Sequence, residues 1–158
     1  MVPPKVQHVD IAENLAGLLR QHLRPPCRVS QGVGVLLDRE TDDYLEADLA
    51  VSREPRRAGR QHLEAPRLVV EILSPSTRDR DLGTKLDRYR ELPSVEEVLL
   101  VSWTERRVTQ WRREGDRAWR VQDHIGKGSV AVALVGAPLD LDAVYAGTGL
   151  AGPDEAEP

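Results

Sequence analysis

The sequence predicts an α/β fold, a central mixed β-sheet flanked by helices, and three observations carry that prediction. RLVVEILS at 67–74 is the most apolar run in the chain and reads as a strand buried on both faces. An amphipathic helix pattern over about 78–92 follows it, and a second apolar strand, EEVLLVSW at 96–103, follows the helix. Behind that unit come short alternating runs separated by turn residues, which predict an antiparallel meander at the C-terminal side.

The elements can be taken in chain order. Ile11, Leu15, Leu18 and Leu19 recur at helical spacing, with Asp10 placed as an N-cap and Glu13 three residues on as its capping-box partner. Pro25-Pro26 ends that helix. GVGVLL (32–37) and YLEADLAVS (44–52) read as strands joined by the polar turn DRETDD. Strict alternation puts Leu45, Ala47, Leu49 and Val51 on one face of the second strand and Glu46, Asp48 and Ser52 on the other. Residues 53–66 read as a polar loop rich in arginine. Pro75 closes the central strand, Ser76 or Thr77 can cap the next helix, and Leu82, Leu86 and Tyr89 form its apolar stripe before Pro93. The strand–helix–strand unit predicts a parallel crossover. RRVTQWRR (106–113) should return as a hairpin through Thr104-Glu105, and AWRVQ (118–122) and SVAVALV (129–135) supply two further strands.

Composition narrows the function classes. A chain of 158 residues fits one domain, taken as 1–150, with 151–158 as a disordered acidic tail. With no Phe, three Trp and three Tyr, the core must be built mainly from Leu and Val. The lone Cys27 excludes an internal disulfide, and the four scattered histidines make no zinc-binding pattern. No run of apolar residues is long enough to span a membrane, and MVPPKVQHVD has no apolar signal region, so a cytoplasmic location is expected. The net charge of −4 does not suggest a general nucleic-acid binder, but the charge is uneven. Arg53, Arg56, Arg57, Arg60 and Arg67 face only Glu54 and Glu64 within 53–67, and a second basic stretch runs through Arg106, Arg107, Arg112 and Arg113.

Three residues stand out chemically. Glu71 sits inside the most apolar strand, where an ionised carboxylate must be paired, bound to a metal or neutralised, or else reach water at the strand's end. By alternation it shares a face with Val69 and Leu73. Lys85 lies about 60° from Leu82 on the helix, on the flank of its apolar stripe. It can turn back toward Glu71, pair with Asp81, or lie along the surface as a lysine whose stem covers the core. Asp48 is either a solvent-facing strand residue or the partner of Glu71 on a neighbouring strand. Two carboxylates and a lysine form the set that metal-assisted phosphodiester hydrolysis needs: hard oxygen ligands for a divalent cation and an ammonium group near the attacking water or the developing phosphate charge.

RLVVEILSPSTRDRDLGTKLDRYRELPSVEEVLLV resembles the signature block of the Uma2-like proteins, with Glu71, Ser74, Pro75, Ser76, Thr77, Arg78, Asp81, Lys85 and Tyr89 in matching places. EADLAVS is similar to the strand in that family that carries its first acidic residue, and APLDLDAVYA resembles its closing segment; the likeness covers roughly 3–146. The family is assigned to the PD-(D/E)XK nuclease superfamily, so the resemblance implies a restriction-endonuclease-like core and a metal-dependent endonuclease acting on DNA. It implies Asp48 and Glu71 as ligands of Mg²⁺ or Mn²⁺, with Lys85 as the catalytic lysine displaced onto the helix, because the usual slot on the strand holds Leu73. Glu13 on the first helix is a candidate added acidic ligand, and His8 falls at a family position open to a structural or a catalytic role. The loop joining the Asp48 strand to the Glu71 strand should lie beside the site, making Arg53, Arg56, Arg57 and Arg60 candidate DNA phosphate contacts. Departures from the pattern are Ala47 in place of a proline, Ser102 in place of an aspartate, and a start just after the family's usual opening helix and hairpin, which predicts an exposed sheet edge. Superfamily nucleases often pair to cut two strands, so a homodimer or higher homo-oligomer is the expected partner state besides DNA. The alternative reading is a catalytically inactive nuclease-fold module for binding or assembly.

Overall fold

The computed structural model describes residues 5–74 and 82–152. Helix α1 (Val6–His22) leads into β1 (Arg28–Asp38), β2 (Asp43–Ser52), the two-residue β3 (His62–Leu63) and β4 (Pro66–Leu73). Then come α2 (Leu82–Glu91), β5 (Glu97–Ser102), β6 (Arg107–Arg113), β7 (Trp119–Ile125), β8 (Ser129–Val130), β9 (Leu139–Asp140) and α3 (Leu141–Val144). Seven strands form one sheet in the order β3-β1-β2-β4-β5-β6-β7, and β8 pairs with β9 separately. β4 and β5 run parallel, as the strand–helix–strand reading requires, and β5, β6 and β7 make the antiparallel meander. Among the described residues no helix is long and apolar enough to cross a membrane.

The sheet is buried on both faces by two clusters, built, as the composition demands, mostly from Leu and Val. Ile11, Leu15 and Leu19 of α1 pack with Leu68, Val70, Ile72, Leu99 and Val101 on one face. On the other, Leu86 and Tyr89 of α2 pack with Val69, Val98 and Leu100. β4 and β5 therefore show the near-continuous apolar runs of central parallel strands. Each fully buried Leu or Val here contributes about 1.5–3 kcal/mol through its removal from water. Arg113 closes the C-terminal end of α2: its guanidinium donates to the carbonyl of Arg90 in the last turn and to those of Leu92 and Val95 in the turn that follows. Trp111 and Trp119 are packing residues, each with an arginine over its ring, Arg90 at 4.9 Å and Arg113 at 4.4 Å.

Five local expectations are corrected. Asp10 is not the N-cap of α1. The helix starts at Val6 from an extended Lys5, whose carbonyl already accepts from the Val9 N–H, so Asp10 falls in the second turn. Alternation along β2 breaks at Asp48. Leu45 and Ala47 pack with Ala50 in the α2-side cluster, while Leu49 and Val51 belong to the α1 side. Gly32, which the register sets opposite Asp48, takes φ +54°, a conformation that suits glycine. The β5–β6 connection spans 103–106 rather than two residues, and the Ser102 hydroxyl accepts from the Thr104 and Glu105 N–H groups inside it. The loop 53–66 is not wholly irregular, because His62 and Leu63 pair in parallel with Gly34 and Val35 of β1. Finally, SVAVALV is not a sheet strand. Only Ser129–Val130 pairs, with β9, and Val130, Val132 and Val135 fold onto the α1-side cluster. That path is held by Glu97, whose Oε1 accepts from the Ala133 N–H at 2.7 Å. Pro75, the caps Ser76 and Thr77, Asp81 and the tail 153–158 lie outside the described residues.

Candidate active site: a carboxylate pair where two strands part

The β2–β4 ladder runs from Ser52↔Pro66 to Leu49↔Val70 and stops there. The next rung would set Asp48 opposite Glu71. The strands part at this point, and the Ile72 N–H, no longer used by the ladder, donates to Asp48 Oδ2 at 2.7 Å. The break in alternation at Asp48 and the end of the ladder thus serve one result: both carboxylates reach the same spot at the carboxyl end of β4.

Glu71 shares the face of Val69 and Leu73, as alternation requires, and its side chain is only 4% exposed. Its Oε1 accepts from the Tyr89 hydroxyl at 2.7 Å and from Lys85 Nζ at 3.3 Å. Lys85 and Tyr89 stand one turn apart on α2, so one helix face supplies both donors. Lys85 Nζ donates also to the Glu46 carbonyl at 3.0 Å. Lys85 thus turns toward Glu71, while Asp81, the other partner open to it, lies outside the described residues. On the other side of the pair, His8 of α1 reaches Asp48, with Nε2 at 3.3 Å from Oδ1.

Electrostatics separate the two acids. Burial first, and then the neighbouring Asp48 charge, push the Glu71 carboxyl up to about 7, against the opposing pull of Lys85 and the Tyr89 hydrogen bond. Burial would raise Asp48 as well, but the His8 hydrogen bond, the Ile72 N–H and a hydrogen bond from Glu71 hold it below the usual carboxylate range. His8 is raised in turn, chiefly by its hydrogen bond to Asp48. Below about pH 7 and above the range where Asp48 takes up a proton, the two acids therefore hold one proton between them, a property of the pair rather than of either residue. Burial and the Glu71 charge lift Tyr89 above the ordinary phenol value, so it remains a donor throughout.

This donor set fits a hard divalent cation. Among the described residues no three His, Cys, Asp or Glu side chains converge as ligands, which does not suit a closed structural zinc site. Mg²⁺ is commonly held by one or two carboxylates, with water and substrate phosphate oxygens filling the remaining positions. The buried pair also carries an unfavourable like-charge contact that a cation would offset.

The structure brings Asp48, Glu71 and Lys85 together and does not bring Glu13 to them. Glu13 is exposed and sits about 140° around α1 from His8 at 100° per residue. The first helix offers the pair a histidine instead. The arginine loop is also not beside the pair. Arg53 lines a groove with His22 and Arg24, and Arg56 lines one with Arg20 and Leu23, at the end of α1 remote from His8. Arg60 is held in ion pairs by Glu54 and Glu64, and Arg57 is exposed. Two site residues carried little sequence signal. Tyr89 read as part of an apolar stripe and as a matching family position, with no role beside Glu71 expected of it, although it stands four residues from Lys85. His8 had only its matching family position, with no pattern in the sequence to tie it to Asp48.

Comparisons with known proteins agree with this architecture. An uncharacterized protein of Synechocystis sp. is 29% identical over 142 residues, covering 89% of this chain and 75% of the relative. A second uncharacterized protein of the same organism is 28% identical over 93 residues, 57% of this chain and 52% of its own. A crystal structure from Anabaena variabilis, described as a putative nuclease belonging to DUF820, superposes with a TM-score of 0.70 at 19% identity and covers 91% of this chain and 83% of that one, which establishes a shared fold. The family model for Uma2, described as "putative restriction endonuclease", matches residues 1–142, and the chain belongs to the Uma2 family.

Proposed function

We propose that this protein is a divalent-metal-dependent endonuclease that hydrolyses phosphodiester bonds in DNA. The observation that carries the reading is the Asp48–Glu71 pair, buried where β2 and β4 part, with Lys85 Nζ 3.3 Å from Glu71. Asp48 and Glu71 would hold Mg²⁺ or Mn²⁺. Such a cation, when bound, lowers the pKa of a water and offsets charge on a phosphate.

The rest of the chemistry belongs to the chain. Lys85, held by Glu71 and the Glu46 carbonyl, keeps an ammonium group at the mouth of the pair, where it can orient the attacking water or donate to a phosphate oxygen as its charge grows. Tyr89 fixes Glu71 from behind, and His8 and the Ile72 N–H fix the two oxygens of Asp48, so the carboxylates are pre-set rather than recruited on binding. In hydrolysis the water oxygen forms a bond to phosphorus, the bond from phosphorus to the leaving sugar oxygen breaks, and that oxygen takes up a proton.

The test is cleavage of supercoiled plasmid in Mg²⁺ or Mn²⁺ by the wild type, Glu71→Gln and Lys85→Met, with an EDTA control. The expected result is nicking that requires the metal and disappears in both folded variants. Undiminished cutting by Glu71→Gln, or a folded wild type that binds no divalent cation by calorimetry, would sink the reading.

A further inference from the structure

The turn after α1 and the loop after β2 meet in a second basic region that the candidate active site does not use. Arg20, Arg24 and Arg28 come from α1 and its exit, and Arg53 and Arg56 come from the loop 53–61. All five are exposed. Arg20, Arg28 and Arg56 line one groove, and Arg24 and Arg53 line the next with His22; the two share Cys27, and no acidic residue lines either. Many of the described arginines are in ion pairs, Arg39, Arg60, Arg67, Arg88, Arg106 and Arg107 among them. Among the described residues these five are in none, and Arg56 has only the Ser30 hydroxyl. In a chain of net charge −4, leaving such a group without counter-charge costs stability through mutual repulsion.

The loop is also built to hold its arginines in place. Glu54 accepts from the Ser52 hydroxyl at 2.7 Å, from the N–H groups of Glu64 and Ala65 at 3.0 Å, and from Arg60 at 3.2 Å. One carboxylate ties both ends of the loop, and Arg53 and Arg56 are left facing the α1 turn. Groups that present many fixed donors and no acceptors suit phosphate oxygens.

We infer that this arginine cluster is an anchoring surface for the backbone of duplex DNA, away from the scissile bond. The inference rests on the nuclease reading and names how its substrate is held. Arg20 lies twelve residues from His8 along α1, roughly 18 Å at 1.5 Å per residue. A duplex lying along α1 would therefore be gripped about five base pairs from the carboxylate pair, at 3.4 Å per step.

The test measures binding rather than cutting, by fluorescence anisotropy of a labelled 20-base-pair duplex in EDTA over a salt series. The triple variant Arg24→Ala/Arg53→Ala/Arg56→Ala should lose at least about tenfold in affinity, and its slope of log K against log salt should fall by about 2–3. The matching triple Arg→Lys variant should keep most of that slope, and Arg117→Ala, also exposed but outside the cluster, should bind as the wild type does. Circular dichroism checks that each variant is folded. A triple alanine variant with wild-type affinity and slope overturns the proposal whatever the plasmid assay shows. So does a wild type that binds no duplex DNA at low salt, or one that prefers duplex RNA as competitor. Binding through the cluster without any plasmid cleavage would instead remove the nuclease reading and leave the surface standing.

Discussion

Two glutamates lie buried in neighbouring strands of one sheet, and the protein treats them differently. Glu97 in β5 is 2% exposed and Glu71 in β4 is 3% exposed. Glu97 looks toward the α1 side and is fully used. Its oxygens accept from the Ala133 N–H and the Gln110 amide, both at 2.7 Å, and the Arg112 guanidinium lies 3.8 Å away. Gln110 in turn contacts His124 at 3.0 Å and the Ala131 carbonyl at 2.8 Å. This carboxylate organises the chain around it. Glu71 has two donors on a single oxygen and another acid as its neighbour, and it is pushed up to about 7. Glu97, which stabilises the fold, is surrounded by donors; Glu71, held beside another acid, is the one we assign to a divalent cation in the proposed function.

The sharpest way to break this comparison is to neutralise each glutamate without changing its shape. Glu71→Gln should cost at least about a hundredfold in metal-dependent cleavage, since several kcal/mol of transition-state stabilisation depend on the bound cation. The same change should stabilise the fold above pH 7. The sign follows from the raised carboxyl: the folded state holds a proton on Glu71 between roughly pH 4.5 and 7 that the unfolded chain has released. Wild-type stability therefore falls as pH rises through that window, by up to about 3 kcal/mol, and Gln does not titrate. Thermal unfolding of both proteins at pH 5 and pH 8 measures this. A variant less stable than the wild type at pH 8 would contradict it.

Glu97→Gln should do the opposite. An amide places an N–H₂ where both neighbours are donors, so at least one buried hydrogen bond is lost, at a cost of about 1–3 kcal/mol. Denaturant unfolding would show the loss, and cleavage per folded molecule should be unchanged. If Glu97→Gln instead lowered cutting at full stability, the division between a structural and a functional glutamate would fail.

How much of this was legible in the sequence follows the same division. β4, α2 and β5 were plain because burial on both faces leaves continuous apolar runs, and Glu71 was conspicuous because it interrupts one. The partnership of Lys85 and Glu71 needed the helix to fold back over its strand, and periodicity offers a flank, not a direction. Glu97 was hidden at the start of its strand in EEVLLVSW, where an acid usually meets water. SVAVALV misled for a related reason. Its alternation is that of a strand, yet pairing stops after Val130; from there the Glu97 carboxylate supplies the Ala133 N–H with the partner a sheet would have supplied. The alternation break at Asp48 had no signal beyond Gly32 on the facing strand. Placing the arginine loop beside the site failed because strand order says which strands adjoin, not at which end of them a loop emerges.

Lys85→Met should sharpen the electrostatic half of the comparison. Lys85 is the strongest influence holding Glu71 down, so its removal should raise that carboxyl further. Divalent binding requires the pair deprotonated, so its pH midpoint, read by calorimetry in Mn²⁺, should move upward from near 7. A midpoint that stays in place would mean Lys85 does not act on Glu71 as its 3.3 Å contact implies.

The smallest expected effect belongs to Tyr89→Phe. The hydroxyl donates to Glu71 at 2.7 Å and favours the charged carboxylate, so its loss should also raise the midpoint for divalent binding, but by less than the loss of a full charge. The ring is fully buried and phenylalanine preserves its packing, so the stability change should stay within about 1.5 kcal/mol, the worth of an ordinary hydrogen bond. Tyr89 stands behind Glu71, on the oxygen shared with Lys85, and touches neither Asp48 nor the strand opening. Tyr89→Phe should therefore keep the maximal rate reached at high pH and saturating metal while shifting the pH at which it is reached. A lower plateau with an unmoved midpoint would instead make Tyr89 part of the reacting set, and the group that fixes Glu71 would have to be sought elsewhere.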